Sequence, residues 1–256
     1  MGNRNIFLSG LCLFFFACQS SEKPQPAGLP AQLSPEVRRI LHNAFETAGG
    51  LDNWQNLREI HFSKYFALYD ETGHIEQEVT QQHDYFPKEN RWVIRWEKEG
   101  QTHEMTWEKG RFFKKINGQP DTTASPESIK NTLLSATFVV GLPFKLTDPG
   151  AKLTYEGPDT LESGENVETI KCVYDPEKFA THSTPDVWWH YFSAEDYRHL
   201  GYKVRHADHI SYVKNLQFVE SGGFLLPSIR KSYRVDSLGN IMFLRADYAY
   251  RNYVLR

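Results

Sequence analysis

The chain has 256 residues, of which 40% are hydrophobic, 14% aromatic and 24% charged. Its formal net charge is −3, and its 29 lysines and arginines form no basic block, so a nucleic-acid partner is not expected. The aromatic content and the even mixing of charges exclude a disordered chain. All-β barrels and sandwiches reach this length as one unit, so a single large core is expected.

Residues 1–17 have the pattern of a signal peptide. Arg4 supplies the positive start, and the apolar run at residues 6–16 is too short to cross a bilayer as a helix. Cys12 lies inside this segment and is removed with it. The predicted fold therefore excludes residues 1–17, and the mature chain keeps two cysteines, Cys18 and Cys172.

The sequence FFAC at residues 15–18 resembles the bacterial lipobox, where signal peptidase II cleaves before a cysteine that carries a diacylglyceryl group. Ala17 fits the small residue before Cys18, whereas Phe15 and Phe16 differ from the usual leucine and small residue. We predict that Cys18 is lipidated and anchors the protein to a membrane, since two or three acyl chains give stable binding. The alternative is an ordinary secretory signal cleaved near Ala17.

Residues 18–33 consist of Cys18 followed by QSSEKPQPAGLPAQL, a proline-bearing segment with few large apolar side chains. This composition predicts a flexible tether between the anchor and a folded domain. Gln19 stands where an aspartate would retain a lipoprotein at the inner membrane of enteric bacteria. The sequence therefore predicts a cell-envelope protein, and an outer membrane lipoprotein in particular.

Two helices are predicted from their end signals. The first begins after Ser34 as N-cap with Pro35 at the first helical position, and it ends at Gly49. The second begins after Ser125 in the same way and ends at residue 141. Each has apolar residues at helical spacing along one side, so each is expected to pack that side against a larger surface.

The remaining segments alternate apolar and polar residues with period two, which predicts antiparallel strands. A two-residue turn at Glu99-Gly100 pairs Trp96 with His103, and a turn at Lys109-Gly110 pairs Trp107 with Phe112. About eleven strands result. The predicted fold is α+β and mainly antiparallel: a curled sheet, or half-open barrel, with the N-terminal and middle helices packed on its apolar face, formed by residues 34–256 as one domain.

The segments AFETAGGLDNWQNLREIHF, VVGLPFKLTDPGAKLTYEG and DVWWHYFSAEDYRHLGYKV, together with the lipobox, resemble a family of Bacteroidota-type lipoproteins of unknown function. At a greater distance the chain resembles the LolA and LolB carriers of lipoproteins. The resemblance covers most of residues 34–256. It implies a half-open β-barrel closed by helices, with an apolar cavity that holds acyl chains in the carriers. A shared fold does not fix function, and no carrier binding residue matches a position here.

Side chains on the apolar face of the predicted sheet are the candidate ligand-binding residues, because two short helices cannot cover that face completely. Four are aromatic and four are polar groups that would orient a ligand head group: Trp92, Trp96, Trp107, Phe112, Gln77, Gln81, His83 and His103. The alternative for the aromatic group is core packing. The alternative for the histidines is a hydrogen bond to Gln77 or Gln81 inside the core.

No catalytic residue, cofactor or metal site is predicted. The common nucleophile, phosphate and metal motifs are absent from the sequence. The best metal candidate is His206, Asp208 and His209, with His190 or His199 as a further ligand. Neighbouring residues on a strand point to opposite faces, which favours a polar loop or strand end. Cys172 alternates with apolar neighbours and is predicted to be a buried, inert thiol. An envelope hydrolase is kept only as a minor alternative.

Two functions are consistent with these features. The first is a lipid-anchored envelope protein that binds a hydrophobic ligand or an acylated protein in the concave face of its sheet. The second is an accessory envelope lipoprotein whose barrel is filled by its own side chains and which binds a protein partner. A concave cavity open to solvent and lined by Trp92, Trp96 and Trp107 would favour the first, and a fully packed interior would exclude it. The sequence makes no prediction of the oligomeric state.

Overall fold

The computed structural model describes residues 29–30, 32–175 and 186–256. The predicted signal peptide, Cys18 and most of the tether lie outside these residues. The described part contains three α-helices: α1 (Pro35–Ala48), α2 (Leu51–Asn56) and α3 (Pro126–Val140). Two short 3-10 turns occur at Pro87–Glu89 and Phe144–Thr147. None of the helices found in these ranges is long and apolar enough to cross a bilayer.

One antiparallel sheet runs through the described residues. Its strands are β1 (Ile60–Tyr69), β2 (Ile75–Phe86), β3 (Arg91–Lys98), β4 (Gln101–Glu108), β5 (Arg111–Ile116), β6 (Gln119–Pro120), β7 (Ala151–Thr160), β8 (Asn166–Tyr174), β9 (Val187–Ser193), β10 (His199–Arg205), β11 (Ile210–Ser221), β12 (Phe224–Val235) and β13 (Ile241–Leu255). The predicted fold class is confirmed, with thirteen strands in these ranges instead of about eleven.

The two additional strands are β6 and β11. Strand β6 has only two residues, too few for a period-two pattern. Strand β11 pairs with β12 through register shifts between Asn215 and Gln217 and between Gln217 and Phe218. Such bulges break the alternation of faces on which the strand prediction depends.

The strand order is β6-β5-β4-β3-β2-β1-β13-β12-β11-β10-β9-β8-β7. The chain thus forms two meanders that meet where β1 pairs with β13. The first meander ends at one edge of the sheet with β6, and the second begins at the other edge with β7. Because α3 connects those two edge strands in the chain, it lies across the concave face of the sheet.

Both long helices begin as the sequence predicts. The Ser34 side chain accepts a hydrogen bond from the Val37 amide, and the Ser125 side chain accepts one from the Ser128 amide. Each helix buries one side in the same hydrophobic core. In that core Phe138 of α3 contacts the Trp188 ring at a centroid distance of 5.0 Å. The helices therefore fill much, but not all, of the concave side.

The two predicted hairpin registers are confirmed. Trp96 pairs with His103 across β3 and β4, and Trp107 pairs with Phe112 across β4 and β5. All four turn residues have positive φ: 53° and 74° for Glu99-Gly100, and 49° and 76° for Lys109-Gly110. This is the geometry of a type I′ turn, whose twist matches that of the paired strands.

Gly201→Ala is expected to destabilise the fold because β10 and β11 approach closely at this residue. Gly201 has φ of +150°, and an added Cβ would lie 2.1 Å from the Val213 carbonyl oxygen. Overpacking of this kind costs about 3 kcal/mol. In the control Gly73→Ala no atom of the described residues lies within 4 Å of the new Cβ, and positive φ alone costs about 1–2 kcal/mol. Urea unfolding followed by tryptophan fluorescence compares the two, and equal losses would contradict the close approach.

Candidate ligand-binding cavity

A cavity of about 290 Å³ lies between α3 and the concave face of the sheet. Helix α3 borders it with four small or aliphatic side chains: Thr132, Ser135, Ala136 and Val139. The sheet contributes apolar side chains that include Phe62, Phe66, Ile94 and Val213. Thr132 and Ser135 are exposed. The cavity therefore opens to solvent beside α3.

A band of polar and phenolic groups crosses four neighbouring strands on the floor of the cavity. Lys64 on β1 lies opposite Gln81 on β2 and opposite Tyr250 on β13. Arg230 on β12 lies opposite Tyr248 on β13. All five side chains line the cavity. Residues that face each other across antiparallel strands are close neighbours on the same face, so the two cations flank the pair of tyrosines.

Aromatic rings surround both cations. The Lys64 ammonium lies 5.1 Å from the centroid of the Tyr248 ring and 6.0 Å from that of Tyr250. The Arg230 guanidinium carbon lies 5.7 Å from the Tyr202 centroid and 5.9 Å from the Tyr250 centroid. Cation–π contacts of this kind contribute about 0.5–2 kcal/mol each. They stabilise the cations in place without neutralising them.

Arg230 is the least solvated of the charged groups in the cavity, with only 2% of its surface exposed. Its Nε has no hydrogen-bond partner, and neither Arg230 nor Lys64 forms a salt bridge with a carboxylate of the described residues. Burial acts to lower the pKa of Arg230, but Tyr250 and Tyr202 raise that pKa by more, so the guanidinium stays charged. A buried charge without a counter-ion costs several kcal/mol, on the order of its effective desolvation.

His83 is neutral in this setting. Burial and the positive charge of Lys64 hold the pKa of His83 well below its usual value. Its Nε2 lies 3.2 Å from Gln81 Oε1, a distance at which a protonated Nε2 donates to the amide oxygen. In that tautomer the buried Nδ1 is an acceptor, and no described residue donates to it. His83 and Gln81 thus add a polar but uncharged side to the cavity, next to Lys64.

A second pair of neutral histidines is buried near the cavity. His190 Nδ1 lies 3.2 Å from His199 Nε2, within hydrogen-bonding distance. Burial lowers the pKa of His190 to about 3. Burial, the neighbouring His190 ring and the positive charge of Arg230 hold the pKa of His199 well below its usual value. Both rings contact Tyr202, which lines the cavity.

The predicted polar residues separate into two groups. Gln81 and His83 line the cavity. His103 instead stacks on Trp96 at a centroid distance of 5.1 Å and lies outside the lining. Gln77 is exposed on β2, opposite Leu68, where the hairpin of β1 and β2 extends away from the cavity. The period-two alternation along a strand therefore predicts which face of the sheet carries these residues. It does not determine how far the cavity extends along that face.

None of the predicted aromatic residues lines the cavity. Trp92 is fully buried in the core, where it stacks on Tyr85 at 4.5 Å. Trp96, Trp107 and Phe112 pack against the edge of the same core. Helix α3 packs on β4 and β5, the strands that carry two of these three residues, and covers that part of the face. These aromatic side chains pack in or against the core, as the alternative interpretation predicts.

The other candidate groups have structural partners. His206 Nδ1 lies 2.9 Å from Asp186, and His209 Nδ1 lies 2.6 Å from Asp208. Across the described ranges, no group of three or more His, Cys, Asp or Glu residues is placed to hold a metal ion. Cys172 is fully buried, and burial raises the pKa of its thiol to about 12. That thiol is un-ionised at neutral pH, as an inert core residue requires.

Sequence reasoning missed the two cations of the cavity. Lys64 alternates with Phe62 and Phe66 on β1, so its inward orientation follows from the period-two pattern alone. Arg230 has the same signal, because it shares its face with Phe224 and Leu226. Both residues could have been identified from the sequence as charged side chains at strand positions where the other inward-facing residues are apolar.

No family model matches this sequence, and no curated protein is similar to it. Solved structures do share its fold. A LolA superfamily protein from Nitrosomonas europaea superimposes with a TM-score of 0.52 at 10% identity, covering 86% of this chain and 93% of that protein. A domain from Vibrio parahaemolyticus named for outer membrane lipoprotein sorting has a TM-score of 0.51 at 4% identity, covering 85% and 91%.

At these identities the comparison defines the fold alone. The chain has a LolA-like fold, an open antiparallel sheet with helices on its concave face. The distant resemblance to LolA that the sequence predicts is confirmed at that level.

The buried histidines predict a loss of stability in acid. Each has a folded pKa below the value near 6.5 of the unfolded chain, so the stability they contribute is present above about pH 6.5 and is lost as pH falls. Between pH 6.5 and 4.5 the free energy of unfolding should fall by about 2 kcal/mol through His190 alone. His190→Gln should reduce this slope. The control His74→Gln alters a side chain that is 86% exposed and should leave it unchanged. Urea unfolding at each pH measures the slope, and an identical slope in both variants would contradict the assignment.

Proposed function

We propose that this protein is a lipid-anchored cell-envelope protein that binds a hydrophobic ligand, or the acyl chain of an acylated protein, between α3 and the concave face of its sheet. The unfilled cavity carries the proposal. Its lining is mainly aromatic and aliphatic, with a few convergent polar groups, which is the composition of small-molecule sites. A barrel filled by its own side chains would leave no such space.

The volume of the cavity limits the size of the ligand that it can hold. At about 290 Å³ it is comparable to the smallest pockets that hold organic ligands. One hydrocarbon chain fits this space better than the two or three chains of a complete lipoprotein anchor. The proposed role is binding rather than catalysis.

The location is proposed from the sequence. Cys18 in its lipobox context supports a lipid anchor, and Gln19 supports the outer membrane. The names of the similar structures, one a LolA superfamily protein and one a domain named for outer membrane lipoprotein sorting, support the cell envelope. The anchor would hold the cavity near a membrane, where acyl chains are available.

Ligand binding is tested by native mass spectrometry of the full-length protein extracted from its membrane. We expect a bound species beyond the protein's own acyl chains. Ala136→Trp should remove it, because Ala136 lines the cavity and an indole there would occupy the ligand space. Glu127→Trp, on an exposed position of the same helix outside the lining, is the matched control and should keep the bound species. If the wild type repeatedly carries nothing, the proposed function is wrong.

The anchor is tested by metabolic labelling with radioactive palmitate. Cys18→Ser should abolish incorporation of the label, because Cys18 is the proposed site of acylation. Cys12→Ser changes the cysteine inside the predicted signal peptide and should keep the label. A Cys18→Ser protein that is labelled as strongly as the wild type would contradict the lipobox assignment.

A further inference from the structure

The two cations on the floor of the cavity have no role in binding a purely apolar ligand. Lys64 and Arg230 both line the space. Neither has a carboxylate partner among the described residues, and the Nε of Arg230 has no hydrogen-bond partner. Aliphatic or aromatic side chains at these positions would hold a hydrocarbon equally well without the cost of burying charge. The pair of cations therefore indicates an anionic group in the ligand.

The neighbouring groups do not supply the missing negative charge. Burial raises the pKa values of Tyr202 and Tyr248, so both phenols are neutral at physiological pH. His83 is a neutral imidazole, and Gln81 is an amide. These groups offer dipoles and hydrogen bonds, whereas each cation keeps its whole charge.

The positions of the two cations define one site. They lie on β1 and β12, on either side of β13, and both approach the ring of Tyr250: Lys64 Nζ at 6.0 Å and the Arg230 guanidinium carbon at 5.9 Å from its centroid. An anion beside Tyr250 is within reach of both. A guanidinium donates two parallel hydrogen bonds to a carboxylate or phosphate, and an ammonium adds a strong point charge.

The rest of the lining is suited to a hydrocarbon. Phe62, Phe66, Ile94, Ala136, Val139 and Val213 surround the remaining space. The identity of the ligand inferred from this lining rests on the proposed function. We propose that the cavity binds an amphiphile with one hydrocarbon chain and an anionic head group, a carboxylate or a phosphate, and that Lys64 and Arg230 bind the head group beside Tyr250.

The proposal is tested with the full-length protein in a sterol-based nonionic detergent, which is too bulky to fill the cavity. Four probes are titrated by native mass spectrometry: dodecanoate, dodecyl phosphate, dodecanol and inorganic phosphate. We expect dodecanoate or dodecyl phosphate to bind at least tenfold more tightly than dodecanol. The tighter of the two anionic probes identifies the head group. Inorganic phosphate should not bind detectably, because it lacks the chain.

Variants assign the effect to the two cations. Arg230→Gln and Lys64→Gln should each weaken binding of the anionic probes at least tenfold relative to binding of dodecanol. Dodecanol that still binds to either variant shows that the cavity remains folded. Arg230→Lys should retain part of the preference for anions. Lys98→Gln removes an exposed lysine on β3 outside the cavity and is the matched control.

The outcomes separate the two proposals. Dodecanol binding as tight as that of both anionic probes, or anionic binding that survives both glutamine variants, overturns the anionic head group and leaves hydrophobic binding intact. Binding of inorganic phosphate as tight as that of dodecyl phosphate overturns the amphiphile in favour of a free anion. If no probe with a chain binds, and Ala136→Trp changes nothing in membrane-extracted protein, the proposed function is wrong and the head-group assignment fails with it.

Discussion

Helix α3 connects strands that lie at opposite edges of the sheet, and the cavity depends on that connection. Because β6 and β7 are far apart in the strand order, the segment between them crosses the concave face. A single helix is narrower than the face it crosses. Helix α3 packs on β4 and β5, and α1 packs near β7 and β12. The space between α3 and the strands in the middle of the order, β2, β1, β13 and β12, stays unfilled for this geometric reason.

Charge distinguishes this cavity from an ordinary packing defect. Empty cavities in proteins are usually apolar, and they lower stability. Here the band from Gln81 to Arg230 includes two cations, one of them almost fully buried. The burial of Arg230 lowers stability further, because its cation–π contacts contribute less free energy than its desolvation costs. Such an arrangement is typical of a functional site, where stability is lost for the sake of binding.

Much of the fold was predictable because it depends on local rules. Positive φ at Glu99-Gly100 and Lys109-Gly110 determines the register of two hairpins, and serine and proline determine where the helices begin. The period-two alternation of strand β2 likewise predicts that Gln81 and His83 lie on the inner face of the sheet. The boundary between cavity and core depends on where α3 packs, which no local pattern specifies. Trp96 and His83 therefore looked equivalent in sequence, yet one packs beside α3 and the other lines the open space.

The edges of the sheet have a consequence for the protein's behaviour at high local concentration. An open sheet exposes unpaired backbone groups at its edge strands, which can pair with those of another molecule. Here β6 ends at Pro120, and β7 carries Pro158 just after a register shift between Tyr155 and Gly157. Proline has no amide hydrogen to donate, and a bulge turns the edge away from straight pairing. The half-barrel can therefore stay open while its edge strands resist fibril-like stacking.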